Sequence, residues 1–169
     1  TYGFQERNPV DAAYRTAKID DFDADFKMDG FIAKLASLPL LFDPGAHWNY
    51  SMATDVLGAV VERLEGKPFA EVLESRIFAP LGMVDTGFKV PADQQHRLTD
   101  AYHFHPQHKM VPFDSGDRSR WAKDRSFHSG GGGLVSTLAD YHRFCAMLLG
   151  GGKLGDTRLI SRKTLTLMT

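Results

Sequence analysis

A mainly α-helical fold with one small β-hairpin is the class the sequence predicts. Apolar residues recur at spacings of three and four along most of the chain. Strict alternation is confined to two short runs around a single Pro-Gln turn near residue 106. Proline and glycine stand where each helical pattern stops. At 169 residues, 43% hydrophobic and 24% charged, residues 1–169 read as one domain able to bury a core.

Asn8 followed by Pro9 is a cap before the residue best tolerated in a first turn, so 10–19 reads as a short helix. The acidic stretch 20–25 reads as a solvated turn. Phe31, Ile32, Leu35, Ala36 and Leu38 mark a second amphipathic helix, stopped by Pro39. A Pro44-Gly45 turn then leads to Tyr50, and Asn49 or Ser51 is placed to cap the helix that follows. Val56, Leu57, Val60, Val61 and Leu64 predict its buried face, and Gly66 its end. Phe69, Val72, Leu73 and Ile77 form the next stripe, broken by Pro80 and Gly82.

Strands are expected over 98–104 and 109–113, and 114–125 reads as a charged surface loop. Gly130, Gly131, Gly132 and Gly133 precede a helix with Leu138, Tyr141, Cys145 and Leu148 on one face and Phe144 alongside. Thr137 and Asp140 are a capping pair for its start. Gly150 to Gly152 end it, and Ser161 opens a last helix.

The run Pro44-Gly45-Ala46-His47-Trp48-Asn49-Tyr50-Ser51-Met52 carries a resemblance. It resembles the tyrosine motif of serine hydrolases related to class C β-lactamases, penicillin-binding DD-peptidases and, most closely, family VIII carboxylesterases. Two later stretches look like the same superfamily in the same order. They are Gly66-Lys67-Pro68-Phe69 through Pro80-Leu81-Gly82-Met83-Val84-Asp85-Thr86, and Gly131-Gly132-Gly133-Leu134-Val135-Ser136-Thr137 with Asp140-Tyr141. The resemblance implies the helical subdomain of a β-lactamase/transpeptidase-like α/β + α fold, lacking most of the main sheet.

It also implies chemistry. A Ser-x-x-Lys serine attacks an ester or amide carbonyl, lysine and tyrosine manage its proton, and an acyl-serine is released by water. Tyr50 stands at the tyrosine position, where the positive end of a helix dipole favours a phenolate. None of the nine serines has a lysine three residues later, and no Gly-x-Ser-x-Gly elbow occurs. The nucleophile motif is therefore expected before Thr1 and the third motif after Thr169. Both ends read as cut, and without those two motifs this segment alone is expected to be inactive.

Met52 stands where β-lactamases carry an amide that orients the substrate, a task a thioether cannot fill. The resemblance thus favours a carboxylesterase acting on small esters, with a β-lactamase or DD-peptidase as the alternative. Tyr2, Met52 and Asp55 are the candidate substrate-binding residues. Asp55 also suits a helix N-terminus, and Tyr2 also suits plain packing.

Competing chemistries are weaker. His103, His105 and His108 imitate the spacing of a metal-dependent hydrolase, but Gln107 replaces the aspartate and Pro106 interrupts the run. Neither glycine run is followed by the lysine and hydroxyl of a phosphate loop. Arg118, Arg120, Lys123 and Arg125 are interleaved with acids and read as a solvated loop. A non-catalytic binding domain remains as a further alternative. The lone Cys145 has no partner for an intrachain disulfide.

No metal or organic cofactor is expected, and the expected partner is a small-molecule ester or amide. A net charge of -1 gives no case for nucleic acid, and the apolar runs are too short for a membrane span. A cytoplasmic location is favoured slightly over a periplasmic one, and the residues leave the oligomeric state open.

Overall fold

The computed structural model describes residues 1–20 and 27–169, so positions 21–25 of the acidic stretch lie outside the described residues. Internal packing divides the chain into two compact units. One is Thr1–Phe69 with Ser126–Gly133, and the other is Ala70–Arg125 with Leu134–Thr169. The secondary structure is mainly helical, with two small antiparallel hairpins among the described residues.

The first unit is built on α1 (Pro9–Ala17), α2 (Met28–Ala36) and α3 (Ala53–Glu65). Asn8 caps α1, its side chain accepting the Asp11 N–H at 3.0 Å, with Pro9 in the first turn. Asp11 is fully buried, and burial alone pushes its carboxyl up. Donors from Thr1 Oγ1, the Arg7 N–H and the Asn8 amide outweigh that and hold it below the usual carboxylate range. Met28, Phe31, Ile32 and Leu35 put one face of α2 into a core shared with Tyr2, Tyr14, Met52 and Ala59.

The buried face of α3 differs from the expected one. Leu57, Val60 and Leu64 are exposed, and the buried residues are Asp55, Gly58 and Ala59. Position 58 has no room for a side chain because the backbone of Gly130 lies directly on it; a Cβ on Gly58 would sit 3.3 Å from Gly130 Cα. Nor does Asn49 or Ser51 occupy the cap position. Met52 does, and Ser51 Oγ accepts only the Ala53 N–H, at 3.2 Å. Gly66, at φ +63°, ends the helix as anticipated.

The second unit starts within α4 (Phe69–Leu73), which runs on through a π turn (Glu74–Phe78) into α5 (Ala79–Leu81). The wider turn falls just ahead of Pro80, whose ring cannot sit against a carbonyl in a regular helical turn. Phe78, Leu81 and Met83 meet Met147 of α6 (Leu138–Leu149) in a core flanked by Phe144 and Leu148. Leu138 and Tyr141, assigned to the buried face from periodicity, are exposed.

The first hairpin pairs β1 (Ala101–His105) with β2 (Lys109–Asp114), and β1 starts three residues later than anticipated because β2 ends at Asp114, the partner of Ala101. Two short 3-10 turns occupy the charged loop, where Arg120 lies over the rings of Phe113 and Trp121 at 5.4 and 5.5 Å. A second hairpin, β3 (Lys153–Leu154) with β4 (Thr157–Arg158), follows α6, and Ser161 caps α7 (Arg162–Met168).

Asp140 organises this unit. Thr137 Oγ1 accepts the Asp140 N–H at 3.2 Å, which is half of the expected capping box. The Asp140 carboxylate does not complete the box. It accepts the Asp85 N–H at 2.7 Å and the Thr86 hydroxyl at 2.9 Å, fastening the turn after Met83 to the start of α6. Arg97 then grips Asp85 through two 2.7 Å hydrogen bonds, which hold the Asp85 carboxyl below the usual range. Replacing the buried Asp140 with alanine strands the Asp85 N–H and leaves the Thr86 hydroxyl with Ser136. Urea unfolding should show a loss of about 1–3 kcal/mol, and a stability unchanged from wild type would refute this role.

Candidate active site

Tyr50 stands three residues before α3, at the end of the segment opened by the Pro44-Gly45 turn, in which the Ala46 N–H reaches the Asp43 carbonyl at 3.0 Å. Its ring is 56% exposed. On one side it meets Tyr2, with centroids 5.1 Å apart and planes at 40°. Tyr2 in turn stacks on Phe4 at 5.0 Å, so three rings form a row with a buried middle and two exposed ends. Asn49 Nδ2 donates to the Tyr50 carbonyl at 3.2 Å.

Tyr2 is the most perturbed phenol of the group, pushed up to about 12. Burial is the main cause, followed by the negative charge of Asp55, then Tyr50 and Asp20. Met52 is buried in the core beneath this row. The structure therefore brings Tyr2, Tyr50 and Asp55 together and places Met52 as a packing neighbour.

Asp55 is buried and accepts the Ser129 hydroxyl, while Ser129 Oγ accepts the Gly131 N–H at 3.0 Å. A Cβ on Gly130 would sit 2.1 Å from the Thr54 carbonyl oxygen, and one on Gly131 2.8 Å from Thr54 Oγ1. Only glycine permits this approach. Ser129 was not among the residues expected at the site. Its signal was a hydroxyl immediately ahead of four glycines, able to fold back on the N–H two residues on.

The histidine alternative lacks its geometry. His105 and His108 stack on each other at 4.8 Å, while the His103 ring sits edge-on to Phe113 at 6.4 Å. Among the described residues no three His, Cys, Asp or Glu side chains converge as a metal ion requires. His128 is half-buried, and that burial lowers its pKa against the opposing charge of Glu62.

Helices arranged in this way form a helical subdomain of the β-lactamase and penicillin-binding-protein fold. Among solved structures, EstCE1, described as a hydrolase with promiscuous acyltransferase activity, matches with a TM-score of 0.75 at 28% identity, covering 92% of this chain and 43% of EstCE1. The beta-lactamase family model matches residues 2–169, and the chain belongs to that family. An uncharacterized protein of Mycobacterium tuberculosis is 38% identical over 167 residues, which are 99% of this chain and 40% of that protein. Esterase EstB of Burkholderia gladioli is 38% identical over 133 residues, covering 70% of this chain and 33% of the esterase. The chain thus spans well under half the length of the curated relatives it matches. The family has a serine hydrolase fold, and its members include esterases, acyltransferases and peptidases.

The Tyr2 environment predicts a pH effect. An unfolded tyrosine titrates near 10, whereas Tyr2 in the fold holds its proton to about 12. Between those values the folded state binds the extra proton, so the stability this group contributes is full below the window and is lost as pH rises through it. Burial also raises Tyr14, so phenolate absorbance should show more than one late-titrating tyrosine, and Tyr2→Phe should remove the one near 12. An unchanged titration curve in that variant would refute the assignment.

Proposed function

We propose that this chain carries the tyrosine-bearing part of a serine carboxylesterase that cleaves small esters through an acyl-serine intermediate. The observation that carries the reading is an exposed tyrosine, Tyr50, on the irregular segment just before α3, its ring tilted against buried Tyr2. Its hydroxyl exchanges a proton with the attacking serine and then with the leaving alkoxide. The serine and lysine come from a Ser-x-x-Lys motif outside residues 1–169, so the segment by itself turns nothing over. Backbone N–H groups near that serine hold the oxyanion.

Ester rather than β-lactam cleavage is favoured by Met52. It lies in the core and offers no amide to a substrate. Similarity to esterase EstB supports the same choice. Tyr50 and Phe4, exposed on either side of buried Tyr2, offer aromatic groups suited to the acyl or alcohol portion of a small apolar ester, with Tyr2 as their support. No metal or organic cofactor takes part in this scheme.

In the full-length enzyme, Tyr50→Phe should cut ester turnover by roughly 10²- to 10⁴-fold, the usual worth of a positioned acid–base group, with an unchanged melting temperature. Turnover equal to wild type would remove Tyr50 from the mechanism. Intact mass after fluorophosphonate treatment checks the nucleophile. The full-length enzyme should gain one adduct, mapped by peptide analysis outside residues 1–169. An adduct on a serine within that range would overturn the division of labour.

A further inference from the structure

We infer that Ser129 is a positioning residue for Tyr50, acting through a latch that joins the glycine run to the first turn of α3. The inference rests on the proposed role of Tyr50 and goes beyond it by naming what fixes the tyrosine in place.

Tyr50 itself is weakly held. Its ring is 56% exposed and has Tyr2 on one side. Its position is therefore set by the backbone that carries it, and that backbone is tied to α3. The N–H groups of Asp55 and Val56 both donate to the Met52 carbonyl at 3.1 Å, and the Met52 side chain is buried. Whatever fixes the first turn of α3 also fixes the tyrosine two residues ahead of Met52.

On the side of α3 that carries Leu57, Val60 and Leu64, exposed residues offer no such support. On the opposite side sits the segment 129–131. The contact is backbone on backbone, since Gly130 is so close to the Thr54 carbonyl and the Gly58 N–H that no Cβ fits. Packing of this kind has no side-chain slack, so a small displacement passes directly into the helix turn. Its direction is set by one polar chain: the Gly131 N–H donates to Ser129 Oγ, and the Ser129 hydroxyl donates to the buried Asp55 carboxylate. Without the hydroxyl, Asp55 keeps its burial and loses this donor, and the glycine segment loses the bond that fixes its height over Thr54. Asp55 thus receives a specific task, different from substrate contact: it anchors the latch.

A misplacement of about 1 Å at a reacting group can cost on the order of 10²-fold in rate. In the full-length enzyme, Ser129→Ala should therefore lower kcat for a small ester by about 10- to 100-fold, with KM nearly unchanged and the circular dichroism spectrum retained. Ser129→Thr, which keeps a hydroxyl, should recover most of the loss. The decisive measurement is a double-mutant cycle with Tyr50→Phe. Once the phenol hydroxyl is gone its position no longer matters, so adding Ser129→Ala to Tyr50→Phe should cost nothing further. An equal loss in both backgrounds would overturn the inference, because Ser129 would then act on the fold generally. So would wild-type turnover in Ser129→Ala. If Ser129→Ala does not fold, Ser129→Cys carries the same cycle, its thiol being a weaker donor. Full activity of Tyr50→Phe alone would instead sink the proposed function and leave the latch without a client.

Discussion

Backbone contact between Gly130 and the first turns of α3 is the constraint on which the Tyr50 region depends. It dictates a glycine at position 58, where a packed helix would ordinarily present a larger side chain. It buries Asp55 beneath the segment and gives that carboxylate a hydroxyl donor from Ser129. The same contact turns the larger apolar residues of α3, Leu57, Val60 and Leu64, outward. One close approach therefore sets which face of the helix is inside and where the chain entering it must run.

The second unit uses the same device with different groups. Asp140 has its own N–H capped by Thr137 and spends its carboxylate on Asp85 and Thr86. Buried acids in both units, Asp55 and Asp140, thus sit in the first turn of a helix and hold a distant segment rather than their own cap. Such groups are costly to bury unless hydrogen-bonded, and each has its donors. The family resemblance in both regions, around Tyr50 and around Leu81 to Asp140, coincides with these two fastenings and their surrounding turns.

Much of the helical architecture was legible because the signals are local. Asn8-Pro9, Gly66 and Ser161 mark boundaries through groups that bond within their own turn, and the structure agrees at each. The face assignments on α3 and α6 were not legible. Periodicity finds the larger apolar residues, but α3 buries Asp55, Gly58 and Ala59 instead, and α6 buries Met147 while its first-turn Leu138 and Tyr141 face outward. The 153–158 hairpin was missed although Gly155-Asp156 is a two-residue turn signal, because its strands are two residues each and show no alternation. At the candidate site, Tyr50 is proposed from its motif. Ser129 was not legible, since its partner Asp55 lies 74 positions away.

By itself the sequence determined the helical class, the order of the main helices and the family, and it supplied the motif on which the proposed role of Tyr50 rests, because each depends on residues a few positions apart. Only the tertiary structure decided the rest. It moved Met52 into the core, set Tyr2 between Phe4 and Tyr50, and joined Asp55 to Ser129. These are contacts between distant segments, fixed by which surfaces can approach closely enough to exclude water, and no local pattern records them.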